Sequence, residues 1–198
     1  MKYALALQRI LFYNPSAAIA ALEAFGSAYE VWQNRTNLRE AVPEVTDHLQ
    51  SLLDVDWQPY LEWAEKELQW DAEKGIKPLL YGTPEYPQRM IGCVDAPLVL
   101  FYRGNANLNA QRIVSIVGTR HITPYGQDIV KNLCCDLARL CPGVLVISGL
   151  AYGVDVCAHR QSLQNGIETV GVLAHGLHKI YPHVHRQTAI EMLNHGGL

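Results

Sequence analysis

Asp155 and His159 stand four residues apart, a spacing that places two side chains on one face of a helix. With the hydroxyl of Ser148 or Thr119 they could compose a nucleophile, a base and an orienting acid. A simpler reading puts Asp155 in the first turn of its helix, where a carboxylate meets the positive end of the helix dipole, with His159 bonded to it. Four histidines, His175, His178, His183 and His185, crowd a second stretch and invite a zinc reading. They lack cysteines at ligand spacing and straddle Pro182, so no metal is expected. They read instead as hydrogen-bond donors around an anion, or as exposed residues.

Glycines flank these groups in three loops. The first runs Gly118-Thr119-Arg120-His121-Ile122-Thr123-Pro124-Tyr125-Gly126. Gly118 lets backbone amides approach a ligand, and the guanidinium of Arg120 can fork onto a phosphate. Thr123 is placed to cap a helix opened by Pro124. The second loop, Ser148-Gly149-Leu150-Ala151-Tyr152-Gly153-Val154-Asp155, can aim amides at an anion near a helix N-terminus. The third runs from Ala174 through His175, Gly176, Leu177, His178 and Lys179 to Tyr181 and Pro182. No G-x-x-x-x-G-K-[ST] is present, nor a G-x-G-x-x-G with an acidic residue about 20 positions on. The sequence therefore speaks against a P-loop NTPase and lacks a dinucleotide fingerprint.

Alternating strands and helices must position these loops. Near-continuous apolar runs, Ile113–Val117 and Val144–Ile147, alternate with helices over about 124–140, 154–165 and 184–194, and a further strand is expected over Thr169–Leu173. That alternation predicts a parallel sheet covered by helices on both faces, with all three loops on the C-terminal edge of the strands. Two shorter β-rich runs, Pro78–Tyr81 and Leu98–Tyr102, come earlier. Residues 1–75 read as a separate helical domain: amphipathic through Tyr3–Leu11, then Ala17–Phe25 with Gly26 as a stop. A short helix follows Pro43, and a longer one runs from about Trp57 to Lys74, ended by Gly75. The stripe Tyr60-Trp63-Ala64-Leu68-Trp70 reads as core. Residues 76–198 then form the α/β domain, and Gly196-Gly197-Leu198 looks like the start of another strand, so the domain is expected to be cut short at its C-terminal end.

The bulk numbers agree with an anion site confined to the second domain. The net charge is -3, but residues 1–75 carry 6 Lys+Arg against 12 Asp+Glu, or -6, whereas residues 76–198 carry 10 against 7, or +3. Seven of the eight histidines also lie there. Five cysteines, an odd number without C-x-x-C spacing, read as reduced thiols of a cytoplasmic protein. The amphipathic N-terminal segment does not read as a leader, and no apolar run reaches the roughly 20 residues that cross a bilayer.

Taken together and in order, the three loops resemble the DprA/Smf family (DNA-processing protein A). The resemblance rests on Gly118-Thr119-Arg120 with Pro124-Tyr125-Gly126, on Ser148-Gly149-Leu150-Ala151 with Gly153-Val154-Asp155 and Ala158-His159, and on Val172-Leu173, Gly176-Leu177 and Tyr181-Pro182. It covers residues 76–198. It implies an extended Rossmann-like fold, single-stranded DNA binding without sequence specificity, a homodimer, and assistance to RecA loading in natural transformation. It implies no catalytic activity and no cofactor. The family's basic DNA-contacting position falls on Arg120 and its pocket glycines on Gly118, Gly149 and Gly153. The family's serine before the arginine is here Thr119. An often basic position is Tyr152, which offers a stacking face, and the third loop carries His178 and His185 where the family has an aspartate and a polar residue. Residues 1–75 resemble the family's helix-hairpin-helix or SAM-like domain loosely, with Phe12-Tyr13-Asn14-Pro15 at the turn.

The expectation is a small all-α domain ahead of an α/β domain whose basic crevice holds the backbone of single-stranded DNA. Its predicted contacts are Gly118, Thr119, Arg120, Tyr125, Gly126, Ser148, Gly149, Tyr152, Gly153 and Lys179. Thr123, Asp155, His159 and Gly176 support them, and Tyr181 is a further stacking candidate. The helical domain, at -6, is expected to pack or to dock partners. Two rival readings are a nucleotide phosphoribohydrolase of the lysine-decarboxylase-like (LOG) type, whose Pro-Gly-Gly-x-Gly-Thr-x-x-Glu loop does not occur in these 198 residues, and a pure interaction module that contacts RecA.

Overall fold

The computed structural model describes residues 1–41 and 45–198, which divide into two compact units, 1–101 and 102–198. Pro43 lies outside the described residues. Unit 1 begins with α1 (Lys2–Ile10) and α2 (Pro15–Phe25), and Gly26 ends α2 in the left-handed conformation, φ 75°. Two short helices that the sequence pattern did not single out follow, α3 (Ala28–Gln33) and α4 (Leu38–Ala41). Then come α5 (Asp47–Leu53), capped by Thr46, and α6 (Gln58–Lys74), closed by Gly75. A two-stranded sheet of β1 (Lys77–Leu80) and β2 (Val99–Tyr102) follows them. Helix α6 packs along α1; Leu61 and Ala64 of α6 and Ala4, Leu5, Ala6 and Leu7 of α1 are buried, while Tyr60, Trp63, Leu68 and Trp70 are half-buried.

One buried residue of α6 is out of keeping with burial. Asp71 is 1% exposed and neither carboxylate oxygen has a hydrogen-bond partner among the described residues. Burial, aided by the charge of Glu67 one turn back, pushes its pKa up to about 6. A carboxyl that holds its proton more tightly when folded stabilises unit 1 most in acid. The penalty begins above the ordinary value of 3.8 and is complete once pH has risen through 6. Asp71→Asn removes this dependence. Relative to the parent, the variant is expected to gain roughly 2–3 kcal/mol more at pH 7 than at pH 4. All four tryptophans lie in unit 1, so urea unfolding followed by tryptophan fluorescence reads this unit. A difference that does not change with pH would show that the carboxylate is satisfied in solution.

Unit 2 is built on a parallel sheet ordered β3-β4-β5-β6, from β3 (Arg112–Ser115), β4 (Val144–Ser148), β5 (Thr169–Gly171) and β6 (Gly196–Gly197). Ile113 pairs with Leu145, Val146 with Thr169, and Val170 with Gly197. Between strands lie α7 (Pro124–Leu140), α8 (Val154–Gln164) and α9 (Arg186–Asn194). Alternation along β4 divides the core. Val144 and Val146 join Val130, Cys134 and Ala158 of α7 and α8, whereas Leu145 turns the other way to meet Val170 and Ala106. Strands β3 and β5 stop two residues short of the sequence expectation, at Ser115 and Gly171. Val117 and Val172, just beyond them, are exposed. No helix among the described residues is long and apolar enough to cross a membrane.

Candidate nucleic-acid interface

The loop after β3 is shaped by two hydroxyls. Thr119 Oγ1 accepts from the His121 amide at 3.1 Å, and Thr123 Oγ1 accepts from the Gly126 amide at 3.1 Å, capping α7 as its position before Pro124 predicts. The Gly126 amide is thereby committed to the helix cap. Arg120 is exposed and no carboxylate among the described residues pairs with it. Tyr125, 75% exposed, stands at the start of α7.

The loop after β4 meets this one directly. Gly153 has φ 79° and ψ -123°, outside the regions open to L side chains, and a Cβ there would lie 2.1 Å from the Thr119 carbonyl oxygen and 2.6 Å from the Arg120 carbonyl carbon. The Val154 amide donates to that Thr119 oxygen at 3.1 Å, and a Cβ on Gly118 would fall 2.8 Å from a Val154 methyl. Leu150, fully buried, is held at φ 62°, a costly left-handed conformation for a branched apolar residue. Among the described residues the backbone amides of Thr119, Arg120, Gly149, Tyr152 and Gly153 have no acceptor within the chain. These uncommitted donors and a guanidinium thus share the two loops where they touch. Such a set of backbone amides suits an anion.

The third loop joins at its base. The Val172 amide donates to the Ser148 carbonyl at 2.8 Å, His185 Nδ1 lies 2.9 Å from the Leu150 carbonyl, and the His185 ring meets Tyr152 edge-on at 5.0 Å. Leu173, Leu177 and Ile180 pack on the cluster that holds Leu150. The Tyr181–Pro182 peptide is cis. Tyr152 is 48% exposed and Tyr181 69%. His175 faces the carbonyls of Gly176 and Tyr181, and a Cβ on exposed Gly176 would press on His178.

Two expectations are corrected. The Ser148 hydroxyl does not face the crevice: it is buried and donates to the Ile116 carbonyl at 2.6 Å, tying β4 to the end of the neighbouring strand. His159 does not pair with Asp155. Its Nδ1 lies 2.7 Å from Thr169 Oγ1, whose own proton goes to the Val146 carbonyl, so Nδ1 is the donor. Nε2 is buried without a partner, and burial, with a smaller contribution from His185, pushes the pKa down to about 4. The imidazole is a neutral core group at physiological pH. Asp155 sits in the first turn of α8 as expected, its carboxylate packed where a Cβ on Gly149 would be 2.7 Å away. No nucleophile–base pair forms among Thr119, Ser148, Asp155 and His159.

Lys179 belongs to a different part of the surface. It lines a cavity of about 420 Å³ with Leu177, Ile180, Arg103, His183 and Arg186, and neither Arg120 nor the glycines of the first two loops reach it. Sequence reasoning missed Arg103 and Arg186. Arg103 is brought to the cavity by reciprocal backbone bonds with Leu198, 95 residues away, which no local pattern announces.

The sequence matches the family model for DNA recombination-mediator protein A over residues 77–198. It is 36% identical to the DNA processing protein DprA of Bacillus subtilis over 124 residues, 62% of this chain and 41% of that protein. To protein Smf of Escherichia coli it is 35% identical over 113 residues, 57% of this chain and 29% of that one. The chain thus spans less than half the length of these curated relatives. Among solved structures, the DNA processing protein A of Streptococcus pneumoniae matches all of this chain and 66% of its own, with a TM-score of 0.68 at 22% identity. That of Helicobacter pylori, described for its single-stranded DNA binding mode, matches 62% of this chain and 53% of its own, with a TM-score of 0.53 at 28% identity. With more than half of its length matched by the family model, this chain belongs to the DNA recombination-mediator protein A family, the DprA/Smf proteins.

Proposed function

We propose that unit 2 binds single-stranded DNA through its phosphate backbone, without sequence specificity, and catalyses no reaction. The observation that carries this reading is the meeting of the first two loops, which bring uncommitted amides of Thr119, Arg120, Gly149, Tyr152 and Gly153 together with an exposed guanidinium that makes no ion pair among the described residues. Amides and arginine recognise phosphate oxygens and read no base. The exposed rings of Tyr125, Tyr152 and Tyr181 are available to unstacked bases, which a duplex does not offer. The H. pylori relative's single-stranded DNA binding supports the same polymer. The family's description as a recombination mediator supports a role in recombination; delivery of the strand to RecA, by a homodimer in the cytoplasm, is part of the same proposal. Against catalysis stand the committed hydroxyl of Ser148 and the neutral, buried imidazole of His159.

Fluorescence anisotropy with labelled oligo(dT) and a duplex of equal length, at about 50 and 200 mM salt, tests the reading. Single strands are expected to bind at least about tenfold more tightly, and affinity to fall with salt as two or more phosphates' counterions are released. Equal affinity for duplex, or binding indifferent to salt, would overturn it.

A further inference from the structure

We infer that the cavity around Arg186 is a second, separate anion site, sized for one nucleotide unit that carries a terminal phosphate. Three basic side chains line it, Arg103, Lys179 and Arg186, together with His178 and His183, and no acidic residue does. None of the three is held in an ion pair among the described residues. Like charges gather there uncompensated at a cost, and an anion removes it. The lining also carries apolar residues, Ile180, Ala189, Ile190, Leu193 and Leu198. A bare inorganic anion would leave those residues unused. A ligand with a flat apolar body and a doubly charged phosphate uses both, and about 420 Å³ falls within the range of small-ligand pockets. Arginines favour a phosphate's oxygens because their planar fork meets two of them at once.

The required chemistry is a phosphomonoester on a nucleoside. It has two sources: a free nucleoside monophosphate, or the phosphorylated end of a DNA strand. The second source rests on the proposed single-stranded DNA binding; the first does not. A cavity of about 420 Å³ holds one such unit, either free or at the end of a strand.

Calorimetric titration with thymidine 5′-monophosphate, thymidine and inorganic phosphate tests the site on the intact chain. The monophosphate is expected to bind at least tenfold more tightly than either component. Arg103→Ala combined with Arg186→Ala, both exposed positions, should reduce that binding at least tenfold with the far-ultraviolet circular dichroism unchanged. In parallel, 5′-phosphorylated and 5′-hydroxyl oligo(dT) are compared. A preference for the phosphorylated end that the double variant abolishes assigns the site to strand termini. Monophosphate binding without that preference assigns it to the free nucleotide. Absence of both, or phosphate alone binding as well as the nucleotide, overturns the inference. Loss of oligo(dT) binding in an Arg120 variant is a separate readout, so failure here leaves the first site standing.

Discussion

Arg120→Ala is expected to weaken oligo(dT) binding by about a hundredfold at low salt and to lower the salt dependence by about one counterion. The size follows from what the side chain is not doing in the free protein. It is exposed and makes no ion pair among the described residues, so its truncation costs the fold nothing and the whole loss appears in binding. A charge-assisted fork onto phosphate is among the stronger single contacts in such interfaces. Some affinity should survive, because the amides of Thr119, Gly149 and Gly153 are backbone groups that the substitution leaves in place. Arg120→Lys should fall between, restoring the charge without the fork, and Arg120→Glu should abolish binding. Arg112→Ala is the matched control: it removes another exposed arginine, at the opposite end of β3, where among the described residues the guanidinium reaches only the Pro142 carbonyl. If the two alanine variants bind alike, attraction is a matter of net charge and the loops are not the site.

Much of this arrangement is readable without coordinates because it depends on local rules. The Thr123-Pro124 start of α7, the left-handed stops at Gly26 and Gly75, and the apolar runs that become β3 and β4 each follow from neighbouring residues. The convergence of the loops follows from parallel strands, which deliver their ends to one edge. What was illegible involves partners distant in sequence. His159 looked like a mate for Asp155 one turn away, yet its partner is Thr169 on β5, chosen by where the helix lies on the sheet. Ser148 looked exposed in a glycine loop, yet its hydroxyl closes a bond to Ile116 on the adjacent strand. Lys179 looked like a companion of Arg120, yet the turn of the third loop hands it to Arg103 and Arg186. In each case the residue type was informative and its neighbour was not.

Gly153→Ala should be among the most damaging single methyls in unit 2, costing upwards of about 3 kcal/mol. Two costs combine. The residue occupies φ 79°, ψ -123°, which strains any L side chain, and the new Cβ would lie 2.1 Å from the Thr119 carbonyl oxygen. That oxygen cannot simply retreat, because it accepts the Val154 amide that opens α8. Relief therefore means parting the first two loops, and with them the amides of Arg120 and Tyr152. Gly166→Ala separates the two costs. Its φ of 70° is also positive, but nothing lies within 4 Å of the added carbon, so only the backbone strain of about 1 kcal/mol remains. Urea unfolding followed by circular dichroism should rank Gly153→Ala well below Gly166→Ala. Any folded fraction of the former should bind oligo(dT) as poorly as Arg120→Ala, while Gly166→Ala binds like the parent. Equal stability of the two variants would mean that the loops do not touch in solution, and the anion site assembled from them would go with that contact.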